Sequence, residues 1–236
     1  MHHTDPTEPK LLIEAEPMTG VRNRRTYTRL LFSLILLVVL TPFFNLIPGG
    51  KPLLHLAFIV VIVTAVWDIA RTPRLLMIGI TLGFPALAAR LTSMVGDSDA
   101  LLLRGAVQGL GVLFFSYIVF EIIWDITTSI DVSNDTIRGA FCAYLLMGLA
   151  WASAYQLVAL LQPGAINIGT GTESALVQNY TYYSFVVLTT LGFGDITPVS
   201  GLARGLTWIE AVAGQLFIAT VIARLIGMRM RGNPDR

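Results

Sequence analysis

The sequence predicts an all-α membrane protein: six transmembrane helices with a re-entrant helix and loop between the fifth and the sixth. Three observations lead there. Of 236 residues, 54% are hydrophobic, against 16 Lys+Arg and 15 Asp+Glu, which excludes a disordered or nucleic-acid-coating chain. The apolar residues fall in six runs, near 30–47, 53–70, 75–93, 100–127, 138–162 and 201–228, each close to the roughly 20 residues that a bilayer crossing needs. Between the last two, 163–200 is rich in Gly, Thr and Asn and holds a shorter apolar stretch, Ala175–Leu188. Unpaired backbone is costly in lipid, so that stretch is expected to dip in and return, sheltered by neighbouring protein.

Residues 1–28 carry three prolines and the basic cluster Arg22, Arg24 and Arg25, which suits a cytoplasmic tail. The first run lacks a small-residue cleavage pattern after it, so it is expected to remain as a span. With six spans and both termini inside, Lys10, Arg22, Arg24, Arg25, Arg29, Arg71, Arg74, Arg138, Arg224, Arg229, Arg231 and Arg236 are internal. Lys51, Arg90, Arg104 and Arg204 are external. This satisfies the positive-inside bias and places the re-entrant segment on the outer face. The third run is interrupted by Pro85; dropping it would separate the termini, against the arginine distribution.

The fourth run holds one arginine, Arg104. Moving one charge across 100 mV is worth about 2.3 kcal/mol, and steep voltage gating uses three or four charges per subunit, so an arginine-ladder mechanism is not expected. Gly105, Gly109 and Gly111 form a small-residue stripe for helix packing. Glu121 and Asp125 share a helix face, and an ionic cluster with Arg71 and Arg74 is expected. The alternative is a proton path with Asp68 as a third acid. The linker 131–136 offers Ser, Asn and Asp as an N-cap for the fifth helix. Cys142 is the only cysteine, so one chain builds neither a disulfide nor a thiolate metal site.

The motif that carries chemistry is Thr189-Thr190-Leu191-Gly192-Phe193-Gly194-Asp195, placed directly after the short apolar stretch and before the sixth run. It resembles the selectivity filter of the potassium-channel family, with Leu191 for Val and Phe193 for Tyr. Tyr182-Tyr183-Ser184 resembles the family's pore helix and Thr197-Pro198 the stretch after the filter, so the resemblance covers 138–228. The physical reading stands beside it. A dehydrated cation needs oxygens in place of its water shell, and backbone carbonyls supply them when successive peptides face one axis. Alternating backbone handedness does this, and glycine tolerates the left-handed half; Gly192 and Gly194 are suitably two apart. The expected K+ ligands are the carbonyls of Thr190, Leu191, Gly192 and Phe193 with the Thr190 hydroxyl, and Gly194 completes the ion-binding segment. One chain has one such loop and a closed ring needs four, which implies a homotetramer.

The departures matter. Phe193 lacks the hydroxyl that in the family bonds the pore-helix aromatics, so Tyr182 and Tyr183 need other partners. Val186 stands where some relatives carry a carboxylate, which leaves Asp195 to lean on Tyr183 or water. Weaker bracing and gating at the filter are expected. Thr189, Asp195, Tyr182, Tyr183 and Glu210 form the expected filter support. An intramembrane carboxylate is expensive to bury unpaired; Glu210 either braces the pore helix from behind or faces the cavity. Gly214 lies where the family often has a hinge, and close helix packing is the competing role. Arg224, Arg229 and Arg231 snorkel to headgroups.

The resemblance implies a tetrameric, passive, potassium-selective channel. A weakly selective cation channel and a non-conducting or transporter-type subunit are the alternatives. The expected organisation is a tail (1–28), a four-helix voltage-sensor-like scaffold without an arginine ladder (29–130), a pore domain (131–228) and a short cytoplasmic tail (229–236). No ligand-binding domain is expected in that last segment. No enzymatic activity, cofactor or nucleic-acid partner is expected, only K+ as permeant ion, lipid and identical subunits. The expected location is the cell membrane, multi-pass, of bacterial inner-membrane type.

Overall fold

The computed structural model describes residues 27–45, 50–69, 73–95, 101–128, 133–168 and 176–231. The N-terminal cluster of Arg22, Arg24 and Arg25, linker residues 131–132, segment 169–175 and the side chains of Arg71, Arg74, Arg90, Arg229 and Arg231 lie outside the described residues. Helix α1 (Thr28–Leu40) ends in a 3-10 turn, Thr41–Asn45. It is followed by α2 (Gly50–Ile69), α3 (Pro73–Val95), α4 (Leu101–Thr128), α5 (Asn134–Leu161), α6 (Leu176–Leu188) and α7 (Gly201–Arg231). A helix thus occupies each of the six apolar runs, and α6 fills the shorter stretch. Pro85 falls inside α3 without ending it.

Among the described residues, two helices, α4 and α5, are long and apolar enough to cross a membrane, and shorter apolar helical stretches lie at Thr28–Phe43, Pro52–Asp68 and Met77–Ala88. The α4 helix buries Phe114, Ile118, Ile122 and Ile126 at four-residue spacing, while Leu113, Phe120 and Trp124 stay exposed. Apolar side chains on both the inner and the outer faces are the pattern of a helix that meets lipid rather than water.

The α5 helix is the hub, packed against α1, α4, α6 and α7. Its start is set by a reciprocal box. The Thr136 amide donates to Ser133 Oγ at 3.3 Å and the Ser133 amide donates to Thr136 Oγ1 at 3.2 Å, satisfying two donors at that helix end. Ser133 is therefore the linker residue that caps. Gly139 lets the Tyr27 ring in, since a Cβ there would lie 2.9 Å from it.

At the same end of the bundle, Asp68 of α2 accepts from the Leu30 amide at 3.3 Å and lies 3.4 Å from the Arg29 guanidinium. A carboxylate beside first-turn amides stabilises a helix start. Asp125 accepts from the Tyr27 hydroxyl at 2.8 Å, a partner that the expected cluster with Arg71 and Arg74 did not include. Arg224, near the far end of α7, donates to the Thr127 carbonyl at the end of α4, so the last helix is tied to the first four.

Candidate functional site

The motif leaves α6 at Leu188 and is held by the end of that helix. The Thr190 amide donates to the Val187 carbonyl at 2.9 Å. The Leu191 amide donates to the Val186 carbonyl at 2.9 Å, and the Gly192 amide shares that acceptor at 3.4 Å. A helix leaves its last carbonyls without internal donors, and here the filter-like segment supplies them. Among the described residues every peptide is trans, and a trans peptide points its carbonyl opposite its amide hydrogen. The carbonyls of Thr189, Thr190 and Leu191 therefore turn together away from α6.

Keeping successive carbonyls on one side requires the chain to alternate in handedness. Positive φ occurs at Thr190 (59°), Gly192 (59°) and Gly194 (79°), every second residue. Gly192 and Gly194 meet that need as glycines; Thr190 does so as a β-branched residue, which costs about 1–2 kcal/mol. Local bonds hold it there. Its hydroxyl donates to the Thr189 carbonyl at 2.7 Å, and Gln215 Nε2 of α7 donates to Thr190 Oγ1 at 3.3 Å. Sequence reasoning missed both Thr190 as a left-handed position and Gln215 as its neighbour. Nothing in residue type marked the first, and the second is a lone amide in an apolar helix.

Downstream, Ile166–Asn167 (β1) and Thr197–Pro198 (β2) pair antiparallel, Ile166 with Pro198 and Asn167 with Thr197. The Val199 and Ser200 amides both donate to the Ala165 carbonyl, at 2.8 and 3.1 Å. The exit of the motif is thereby fixed to the segment that follows α5.

Behind the motif lies a polar core. Glu210 is fully buried. The Tyr155 hydroxyl of α5 lies 2.5 Å from its Oε2, and Ser184 Oγ of α6 lies 2.5 Å from its Oε1. Ser184 Oγ is also 2.8 Å from the Gly148 carbonyl of α5. Glu210 thus sits behind α6, joined to two other helices, and not on a cavity surface. Tyr183 pairs its hydroxyl with Thr207 Oγ1 at 2.7 Å and packs edge-on against Tyr155. Tyr182 bonds Asp195 through its side chain. Asp195 therefore leans on Tyr182, where Tyr183 or water was expected. Thr189 returns its hydroxyl to the Phe185 carbonyl at 2.7 Å.

Two glycines make this packing possible. A Cβ at Gly148 would meet the Phe185 ring at 2.7 Å, and one at Gly214 would meet the Leu188 carbonyl oxygen at 2.5 Å. Gly214 is thus explained by close approach to the end of α6, with no hinge required. In the α4 stripe, Gly111 comes close to Ser153 and Gly105 to Leu160, but Gly109 faces nothing within 4 Å. Leu191 and Phe193 expose 57% and 64% of their surface in the single chain.

Residues 141–230 match the family model described as an ion channel. That match supports an ion channel. Protein LctB of Bacillus caldotenax is 28% identical over 88 residues, 35% of this chain and 64% of that protein; the chain therefore spans less than two thirds of that relative's length. No solved structure matches the chain.

Proposed function

We propose that the chain is the subunit of a homotetrameric, potassium-selective channel that conducts dehydrated K+ passively. Six spans would hold both termini in the cytoplasm of a bacterial-type inner membrane. Residues 131–228 would supply the pore, and helices within 29–130 a scaffold that does not sense voltage. The observation that carries this reading is the alternation of positive φ at Thr190, Gly192 and Gly194, with the amides of 190–192 spent on α6. It turns the carbonyl oxygens of Thr189, Thr190 and Leu191 together away from α6, the kind of ligand set that a bare cation needs. Four copies close the ring around one axis. Subunit contact would also cover Leu191 and Phe193, whose exposure is otherwise costly.

The test is purified protein in liposomes under opposed K+ and Na+ gradients. A K+-driven potential supports the proposal. A potential near zero with cation leak selects a weakly selective channel, the reading favoured by one observation: residue 193 has no hydroxyl with which to tie itself to α6. Absence of flux selects a non-conducting or transporter-type subunit.

Two variants sharpen the test. Phe193→Tyr restores a hydroxyl and is expected to slow the loss of current when K+ is withdrawn; identical kinetics in the two proteins would show that bracing at 193 is irrelevant. Gln215→Leu removes a hydrogen bond to the Thr190 hydroxyl, worth about 0.5–1.5 kcal/mol. Its K+ flux is expected to fall roughly two- to tenfold, and unchanged flux would show that Gln215 does not hold Thr190 in place for conduction.

A further inference from the structure

Glu210 poses a question of proton number. Among the described residues, Arg29 reaches Asp68 at 3.4 Å and Arg138 reaches Asp135 at 2.7 Å, but no cation reaches Glu210. The ionisable groups near it are phenols: Tyr144 and Tyr155 on α5 and Tyr183 on α6. Three close oxygen–oxygen contacts surround the carboxyl: Tyr155 to Oε2 at 2.5 Å, Ser184 to Oε1 at 2.5 Å, and Ser184 to the Gly148 carbonyl at 2.8 Å. Each such contact needs one hydrogen between the oxygens. Tyr155 and Ser184 bring one each, a carbonyl brings none, and an ionised carboxylate brings none. The third has to come from Glu210.

We propose that Glu210 is a neutral carboxylic acid that donates from Oε1 to Ser184, which passes its own hydrogen to the Gly148 carbonyl, so that one held proton locks α6 between α5 and α7. An anion here would be buried with no counter-charge, a cost that proteins avoid. A chain of donors in a low-dielectric site also strengthens each member. Ser184 lies one helical turn before Leu188, whose successors form the proposed filter. Glu210 is a positioning residue: it touches no permeating ion and acts through α6. The protonated form is the braced one, so bracing is present at low pH and is lost as pH rises through the titration of Glu210.

The functional half of the test rests on the channel reading, and the spectroscopic half does not. Infrared difference spectra of the full chain in liposomes are expected to show a protonated-acid carbonyl band at neutral pH that disappears in Glu210→Gln. Tyr155→Phe, which removes the donor to the acid carbonyl, is expected to move that band to higher frequency. Raising the pH until the band gives way to carboxylate is expected to lower K+ flux about tenfold in the wild type, the scale set by one buried hydrogen bond. Glu210→Gln keeps a donor toward Ser184 and an acceptor toward Tyr155, so its flux is expected to hold across the same range. The proposal is overturned by carboxylate absorption alone at neutral pH, by a band that Tyr155→Phe leaves in place, or by a Glu210→Gln flux profile that falls with the wild type's. A wild type that passes no cation at any pH defeats the channel reading, while the band still decides the proton.

Discussion

Gly214→Ala is expected to abolish K+ flux while the first four helices stay folded. The added Cβ would lie 2.5 Å from the Leu188 carbonyl oxygen and 3.0 Å from Leu188 Cδ1. A leucine tip can rotate away, but a backbone oxygen cannot move without its peptide. That oxygen also accepts from the Tyr144 hydroxyl at 3.3 Å, so α5 holds it in place from another side. The α6 turn that would have to yield carries the Val186 and Val187 carbonyls, which hold the amides of residues 190–192. Overpacking of this kind costs about 1–3 kcal/mol, and here it falls on the groups that orient the proposed filter. Gly109→Ala is the control, because a Cβ there meets nothing within 4 Å and alanine favours a helix over glycine by about 1 kcal/mol. Flux in liposomes and thermal unfolding of both variants check the prediction. Wild-type flux from Gly214→Ala would mean that α7 does not set the position of α6.

The fold was legible in the sequence because its code is one of length and apolarity. Each run long enough for a span became a helix, and Ala175–Leu188, too short for one, became α6 from Leu176. Within the motif, Gly192 and Gly194 announced themselves, since glycine is the residue that occupies positive φ without cost. Thr190 did not, because a β-branched residue reads as extended chain. The partners of Asp195 and Tyr183 were not legible either. Successive residues on a helix point about 100° apart, so the choice between Tyr182 and Tyr183 depends on how α6 is rotated, which α5 and α7 decide. Glu210 stood out as an intramembrane carboxylate, but its partners come from positions 26 and 55 residues away. Gly214 was visible as a glycine, yet the carbonyl that demands it belongs to another helix.

Gly192→Ala is expected to remove selectivity for K+ over Na+ with little loss of stability, the reverse of a packing defect. No heavy atom lies within 4 Å of a Cβ built at 192 in the single chain, so the cost there is one of handedness. An L-residue at φ +59° pays about 1–2 kcal/mol, and it can recover that energy by turning to negative φ. Turning rotates the adjoining peptide and takes its carbonyl out of the file. Thr190 shows what is needed to hold a side-chain-bearing residue at the same angle: a 2.9 Å bond from its amide to Val187, a hydroxyl bonded to the Thr189 carbonyl, and Gln215 against that hydroxyl. Alanine at 192 would have only the longer 3.4 Å bond to Val186 and no hydroxyl. Na+ and K+ fluxes measured alongside the melting temperature separate the two effects. Selectivity that survives Gly192→Ala would remove the carbonyl at this residue from the ligand set, and with it the reason for glycine at every second position of the motif.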